Sequence, residues 1–222
     1  MHQQVLVVLP HPDDESFGAA GTIALEREAG AKIAYICGTL GEMGRNMGRP
    51  VFATRESLPD IRKGELESAC SVLGISDLRL FGLRDKTVEF EDPEILADRI
   101  LAVVKELHPT LVITHYPGFA VHPDHNAMGR ATILALSKIP TAQRPTVYCM
   151  AMAQNRFDVL GKPHVLVDVS SVQGTKLAAI QAHGSQSQGM LQRAKAEGDT
   201  PMRRRMEQFL KQEMFWHFNF EG

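Results

Sequence analysis

Residues 5–9, Val-Leu-Val-Val-Leu, are apolar at every position, with no polar residue at alternate places. Such a run suits a strand covered on both faces, as in the middle of a parallel sheet. Further strands are expected at 32–37, 78–81, 111–114, 146–150 and 164–169. Helical patterns separate them at 18–30, 60–73, 93–107, 124–138 and 172–183, and 202–214 reads as a basic surface helix. Asp60 is the expected cap of the second helix and Gly74 its stop. Alternating strands and helices predict an α/β, Rossmann-like fold: a mostly parallel sheet with helices on both faces. A chain of 222 residues, 44% hydrophobic, is expected to form one domain over 1–222.

The first strand is not followed by G-x-G-x-x-G, and G-x-x-x-x-G-K-[ST] occurs nowhere. The turn that would hold a phosphate carries His11-Pro12-Asp13-Asp14-Glu15 instead. A row of carboxylates repels phosphate and attracts a cation. A second cluster, His122-Pro123-Asp124-His125, follows the run at 111–113. In both clusters the outer residues are three apart, a spacing that lets side chains face one way as a strand passes into a helix. The carboxyl ends of parallel strands open into the ligand crevice of an α/β sheet. Two His and one Asp around a divalent cation, with one position left for water, outline a hydrolytic metal site. Zinc and ferrous iron both suit that ligand set.

Net charge is -2, which gives no general attraction to nucleic acid or anionic membrane. No apolar run approaches the roughly 18 residues of a membrane span, and no signal peptide is evident. Cys37, Cys70 and Cys149 form no C-x-x-C pair, so neither a disulfide framework nor a thiolate zinc site is expected. The expected location is the cytoplasm, with no nucleic-acid and no membrane partner. Residues 38–50, rich in Gly and Arg, lack periodicity and read as a long functional loop. Met43, Met47 and Phe52 in or beside it suit either an apolar lid or an anchor to the core.

The paired motifs H-P-D-D-E and H-P-D-H, in that order, resemble the LmbE-like, or N-acetylglucosaminyl-phosphatidylinositol de-N-acetylase, family. Thr39-Leu40-Gly41-Glu42, Arg62-Lys63-Gly64-Glu65-Leu66 and His183-Gly184-Ser185-Gln186 extend the resemblance across residues 5 to about 190. Chain length and motif texture are nearest to the deacetylases of bacillithiol biosynthesis. The resemblance implies a zinc-dependent N-deacetylase acting on an N-acetylglucosamine conjugate, with N-acetylglucosaminyl-malate as the leading substrate. A mycothiol-type conjugate or a chitooligosaccharide is the alternative within the family. It also implies a homo-oligomer, trimer or hexamer. A metal-dependent phosphoesterase is the rival chemistry, although two-metal sites normally need more carboxylates. A non-catalytic structural zinc would favour four closed ligands, often Cys.

Residue by residue, the resemblance implies His11, Asp14 and His125 as metal ligands and Asp13 as general base. It implies that His122 stabilises the oxyanion or donates a proton, and as an imidazolium its charge would suit a tetrahedral intermediate. Asp124 either orients His122 or caps a helix. Arg62 maps onto a substrate-binding arginine, with a surface ion pair to Glu65 or Glu67 as the alternative. Asp85 maps onto a residue that binds sugar hydroxyls, or is simply a turn residue. Gln186 lines the site or is an exposed amide. Glu15 either supports the site or charges a helix start. His115 reads as a packed strand-end histidine rather than a site residue. One departure stands out: where some relatives carry an oxyanion tyrosine, this chain has Ala120, with Tyr116 and Phe119 nearby.

Overall fold

The computed structural model describes residues 2–196 and 201–220. Strand β1 (Gln4–Leu9) lies at the centre of a five-stranded sheet with β2 (Lys32–Cys37), β3 (Asp77–Leu80), β4 (Leu111–His115) and β5 (Thr146–Met150). The order is β3-β2-β1-β4-β5, and every neighbouring pair is parallel. The apolar run splits between the two faces, as a period of two requires. Val5, Val7 and Leu9 pack with Ile23, Ile33, Leu66 and Leu73, while Leu6 and Val8 pack with Ile100, Val104, Met128 and Leu136. Helices α2 (Ala20–Glu28), α3 (Leu58–Leu73) and α7 (Gln173–Ala182) therefore cover one face. Helices α4 (Pro93–Leu107) and α5 (Pro123–Ser137) cover the other. Each fully buried Val, Leu or Ile contributes about 1.5–3 kcal/mol to this core.

The chain runs outward from β1 through β2 to β3, then returns to pair β4 with β1 on the opposite side. The carboxyl ends of β1 and β4 thus flank the switch point, where open α/β sheets bind ligands. Both motif clusters begin there.

Three segments depart from the sequence expectation. The helix at 18–30 is two helices, α1 (Asp14–Gly18) and α2, broken at Ala19. The break has a distant cause: Glu213 accepts hydrogen bonds from the Gly21 and Thr22 amides and the Thr22 hydroxyl, so α2 starts afresh on a cap 191 residues away. Helix α3 begins at Leu58, which leaves Asp60 in its first turn rather than at its cap. The basic helix, α9 (Pro201–Lys211), stops short, and Gln212–Phe215 is strand β7. It pairs antiparallel with β6 (Val165–Asp168), and Phe215 is buried against the main core. Burial of Phe215 and Trp216 outweighs the helical pattern there. A further helix, α6 (Arg156–Leu160), precedes β6, and α8 (Gly184–Ala196) follows α7 directly.

Glu213 also meets Lys176 at 2.8 Å, and both are buried. Removing one member of a buried pair strands the other charge. Glu213→Gln should lower the unfolding free energy by about 3 kcal/mol in urea titration. Adding Lys176→Met should restore part of it; a purely additive second loss would mean the pair is not coupled.

Candidate active site

Beyond Leu9 the chain turns through Pro10–Asp13 into α1. Asp13 has φ 101°, a conformation that non-glycine residues rarely adopt and that costs about 1–3 kcal/mol. Several bonds hold it. Its amide donates to Glu15 Oε2 at 3.1 Å, its carbonyl accepts from the Ser16 and Phe17 amides, and its carboxylate accepts from Arg62 Nη2 at 3.0 Å. On the other strand, β4 ends at His115, and a loop leads to His122 and α5. The Asn126 side chain pins this loop, bonding the Gly118 and Ala120 amides and the Ala120 carbonyl. Helix α5 lies so close to β4 that a Cβ on Gly129 would sit 2.4 Å from the His115 carbonyl oxygen.

These turns bring His11, Asp14 and His125 together. His11 Nδ1 lies 3.1 Å from His125 Nε2, and Asp14 Oδ1 lies 3.1 Å from the same Nε2. Asp14 Oδ2 is 3.5 Å from His11 Nδ1 and accepts the His11 amide at 2.9 Å. Two imidazole nitrogens and a carboxylate facing one point suit a divalent cation. The outer bonds of His11 agree with that use. Its Nε2 faces Asp124 Oδ2 at 3.1 Å and Asp85 Oδ1 at 3.2 Å, which places the proton on Nε2 and leaves the Nδ1 lone pair inward. A second grouping, His11 with Asp85, His122 and Asp124, is also compact. Its carboxylates are already engaged: Asp124 accepts the Lys86 and Val88 amides, and Asp85 accepts the Met43 amide. The first grouping is the better metal site.

Charge is short here. Burial alone would lower the His11 imidazole, yet Asp124, Asp14 and Asp85 carry it well above its ordinary value. Burial would raise Asp14, but His125, His11 and His115 hold it well below the usual carboxylate range. The proton that these carboxylates favour on His11 is positive charge that a cation would supply instead. His115 does not compete: burial pushes it down to about 4, and its ring stacks on His125 at 4.0 Å. It is the packed histidine the sequence suggested, and it backs the His125 ring.

Several expected roles change. Asp124 does not orient His122, whose Nδ1 lies 4.0 Å from it; the carboxylate is spent on His11 and two amides. Nor does it cap α5. His122 does, with Nδ1 accepting the Asp124 amide. That bond fixes the neutral tautomer with its proton on Nε2. Burial, with the nearby His11, also lowers the His122 pKa, which opposes the expected imidazolium. Asp85 does sit in a turn, and from there its carboxylate braces His11 and accepts the Met43 amide.

Arg62 borders the site cavity and makes no surface ion pair with Glu65 or Glu67. It is 4% exposed and gives its guanidinium to the Gly41 and Pro12 carbonyls and to Asp13. A Cβ on Gly41 would collide with it, 1.8 Å from Nη1, so this glycine opens its path. Gln186 borders the site and is held by the Asn46 carbonyl and the Ser185 hydroxyl. Tyr116 packs with Phe119 and Phe218 and does not border the site cavity, so it does not replace the tyrosine absent at Ala120.

One further cluster left little trace in the sequence. Glu15 is fully buried and binds His183 Nε2 at 2.6 Å, the Ser16 hydroxyl, the Tyr35 hydroxyl and the Asp13 amide. Burial would lower His183, but Glu15 raises it. The available clue was His183 within the C-terminal motif segment.

The polar cavity over these groups measures about 340 Å³ and is bordered by Asp13, His122, Asp85, Arg45 and Gln186 among others. Asp13 and Asp14 also border a more apolar cavity of about 530 Å³, walled by Phe17, Met150, Phe209 and Trp216.

Comparison with known proteins gives a consistent picture. Residues 6–136 match the family model described as GlcNAc-PI de-N-acetylase. The probable N-acetyl-alpha-D-glucosaminyl L-malate deacetylase 2 of Bacillus cereus is 48% identical, with 100% of each chain covered. The N,N'-diacetylchitobiose deacetylase of Pyrococcus horikoshii superposes with a TM-score of 0.72 at 23% identity, covering 98% of this chain and 84% of that one. The 4-carboxy-2-hydroxymuconate hydratase of Pseudomonas putida has a TM-score of 0.74 at 22% identity, covering 99% and 98%. The fold therefore hosts more than one chemistry.

The donor set predicts one divalent cation per chain, measurable by elemental analysis. His11→Ala and His125→Ala should lose it. Asp124→Asn should weaken affinity by about 10- to 100-fold, the usual effect of a residue that orients a ligand. His122→Ala should retain the cation; loss equal to that of His125→Ala would make His122 a ligand.

Proposed function

The chain belongs to the GlcNAc-PI de-N-acetylase family and is a hydrolytic N-deacetylase, and on that premise we propose that it hydrolyses the acetamide of N-acetylglucosaminyl-malate. The observation that carries the reading is Asp13, set beside the convergent His11, Asp14 and His125 but left outside that group. The chemistry requires a base next to, and distinct from, the ligands.

His11, Asp14 and His125 would hold zinc or ferrous iron, which would supply Lewis acidity there. The chain's own groups do the rest. Asp13 takes the proton from the attacking water. Burial raises its carboxyl and Arg62 draws it back, leaving it at about 6, close to the range in which a base serves at neutral pH. His122, with its proton on Nε2, donates to the oxygen that gains charge as the carbonyl becomes tetrahedral. Asp124 and Asp85 fix the His11 ring. The proton on Asp13 then passes to the departing sugar amine. The reading includes one domain over 1–222 and a homo-oligomer of three or six copies in the cytoplasm. No helix among the described residues is long and apolar enough to cross a membrane.

Amine release from N-acetylglucosaminyl-malate by the metallated protein tests the proposal, and no release from that conjugate would sink the substrate. Asp13→Asn should keep the metal and lose about 10²-fold or more in kcat. The pH profile discriminates further. A base works when ionised, so activity falls as pH drops through the pKa of Asp13. Arg62 lowers that pKa, so Arg62→Gln should move the acid limb of kcat/KM to higher pH. An unmoved limb would remove Arg62 from the proton chemistry.

A further inference from the structure

Arg45 and Gln186 border two cavities at once: the polar one over Asp13, and a neighbour of about 860 Å³. The second cavity is built by the loop at 45–51 against α8. Among the described residues its charged lining consists of Arg45, Arg49 and Arg193, with no carboxylate. The other arginines near the site are committed. Arg62 holds Asp13, and Arg55 donates to the Glu42 and Gly44 carbonyls. By contrast, the Arg45 and Arg49 guanidinium groups have neither an ion pair nor a side-chain hydrogen bond among the described residues. Arg193 bonds the Gly189 carbonyl through its Nε. Among the described residues, three arginines share a concave wall whose own lining holds no carboxylate.

The wall is also braced. The Gly48 amide donates to the Ser185 carbonyl, the Arg49 amide to Gln188 Oε1, Gln186 Nε2 to the Asn46 carbonyl and Gln192 Nε2 to the Arg49 carbonyl. These bonds tie the loop to α8, so the arginines stand on a held backbone. Arginine meets a carboxylate through paired N–H donors, and such charge-assisted bonds exceed neutral ones.

We propose that this arginine basin binds a dicarboxylate carried on the anomeric position of the sugar, so that Arg45, Arg49 and Arg193 determine aglycone specificity. The proposal rests on the deacetylase reading for its location. With the acetamide at Asp13, the sugar spans the first cavity and its aglycone crosses the Arg45–Gln186 boundary into the second. A malate aglycone presents two carboxylates to three guanidinium groups. The sequence reading gave this contact to Arg62 along with Arg45 and Arg49; the Arg62 guanidinium is already bonded to Asp13.

Arg49→Gln, Arg193→Gln and the double variant test the basin without touching the groups around Asp13. Amine release is measured with N-acetylglucosaminyl-malate and with the neutral methyl glycoside of N-acetylglucosamine. Each lost contact should cost the malate conjugate roughly 10- to 100-fold in kcat/KM, carried mainly by KM. The methyl glycoside should change less than about twofold, the range expected where no charged contact is lost. An equal fall for both substrates, or an unchanged conjugate, overturns the proposal. Calorimetric titration with free L-malate reads the basin without turnover. The metallated wild type should bind it and the double variant should not; a wild type that binds no malate also overturns the basin. Malate binding that the double variant loses, with no amine released from either sugar, would support the basin and sink the deacetylase reading alone.

Discussion

The Asp124 carboxylate joins three segments that the sheet brings only to the same edge. It projects from α5, after β4, and accepts the Lys86 and Val88 amides from the loop after β3. It also meets His11 Nε2, after β1. The group is fully buried, so each bond offsets a desolvation cost that would otherwise fall on an unpaired carboxylate. His11 can present Nδ1 inward only because Asp124 and Asp85 engage the other nitrogen. The orientation of the His11 ring is thus set from outside the His11, Asp14 and His125 group, by a residue whose own position needs three segments in register.

The parts of the fold and site that follow local rules were legible in the sequence. The two-sided burial of β1 could be read from five consecutive apolar residues. The ends of α4 followed from Pro93 at its start and Pro109 after its end; Asp92 supplies the cap, accepting the Glu94 and Ile95 amides. The meeting of the two His clusters followed from the rule for parallel strands. Distant partners were not legible. The break between α1 and α2 depends on Glu213, and β7 depends on what Phe215 and Trp216 bury against. The reassigned roles have the same origin. Arg62, Asp124 and Asp85 were each recognised as polar residues with work to do, but their partners lie in other loops. For Arg62 the deciding neighbour is Gly41, which no spacing rule connects to it.

Asp13 illustrates why such a site needs a deep support. Its backbone occupies an unfavourable region and its carboxyl is buried beside Asp14. Neither condition would persist on its own. Glu15 bonds the Asp13 amide and is in turn held by His183, Ser16 and Tyr35, from three different elements. Arg62 bonds the carboxylate and the carbonyl just before it. The strain is therefore distributed over β2, α3 and the junction of α7 and α8, which ties His183, in the C-terminal His183-Gly184-Ser185-Gln186 segment, to Asp13 through Glu15.

Burial and a crowd of carboxylates together set the electrostatics of the centre. Asp13, Asp14, Asp85, Asp124 and Glu15 crowd around His11, His125, His183 and Arg62. The carboxylates raise His11 and contribute, through Asp14 and Glu15, to the raised Asp13. A divalent cation held by His11, Asp14 and His125 would act on both groups in one direction. Its charge would take the place of the proton on His11, freeing the Nδ1 lone pair. The same charge would favour the ionised form of Asp13 at neutral pH. Metal binding and ionisation of Asp13 would then be coupled by charge, through carboxylates outside the His11, Asp14 and His125 group.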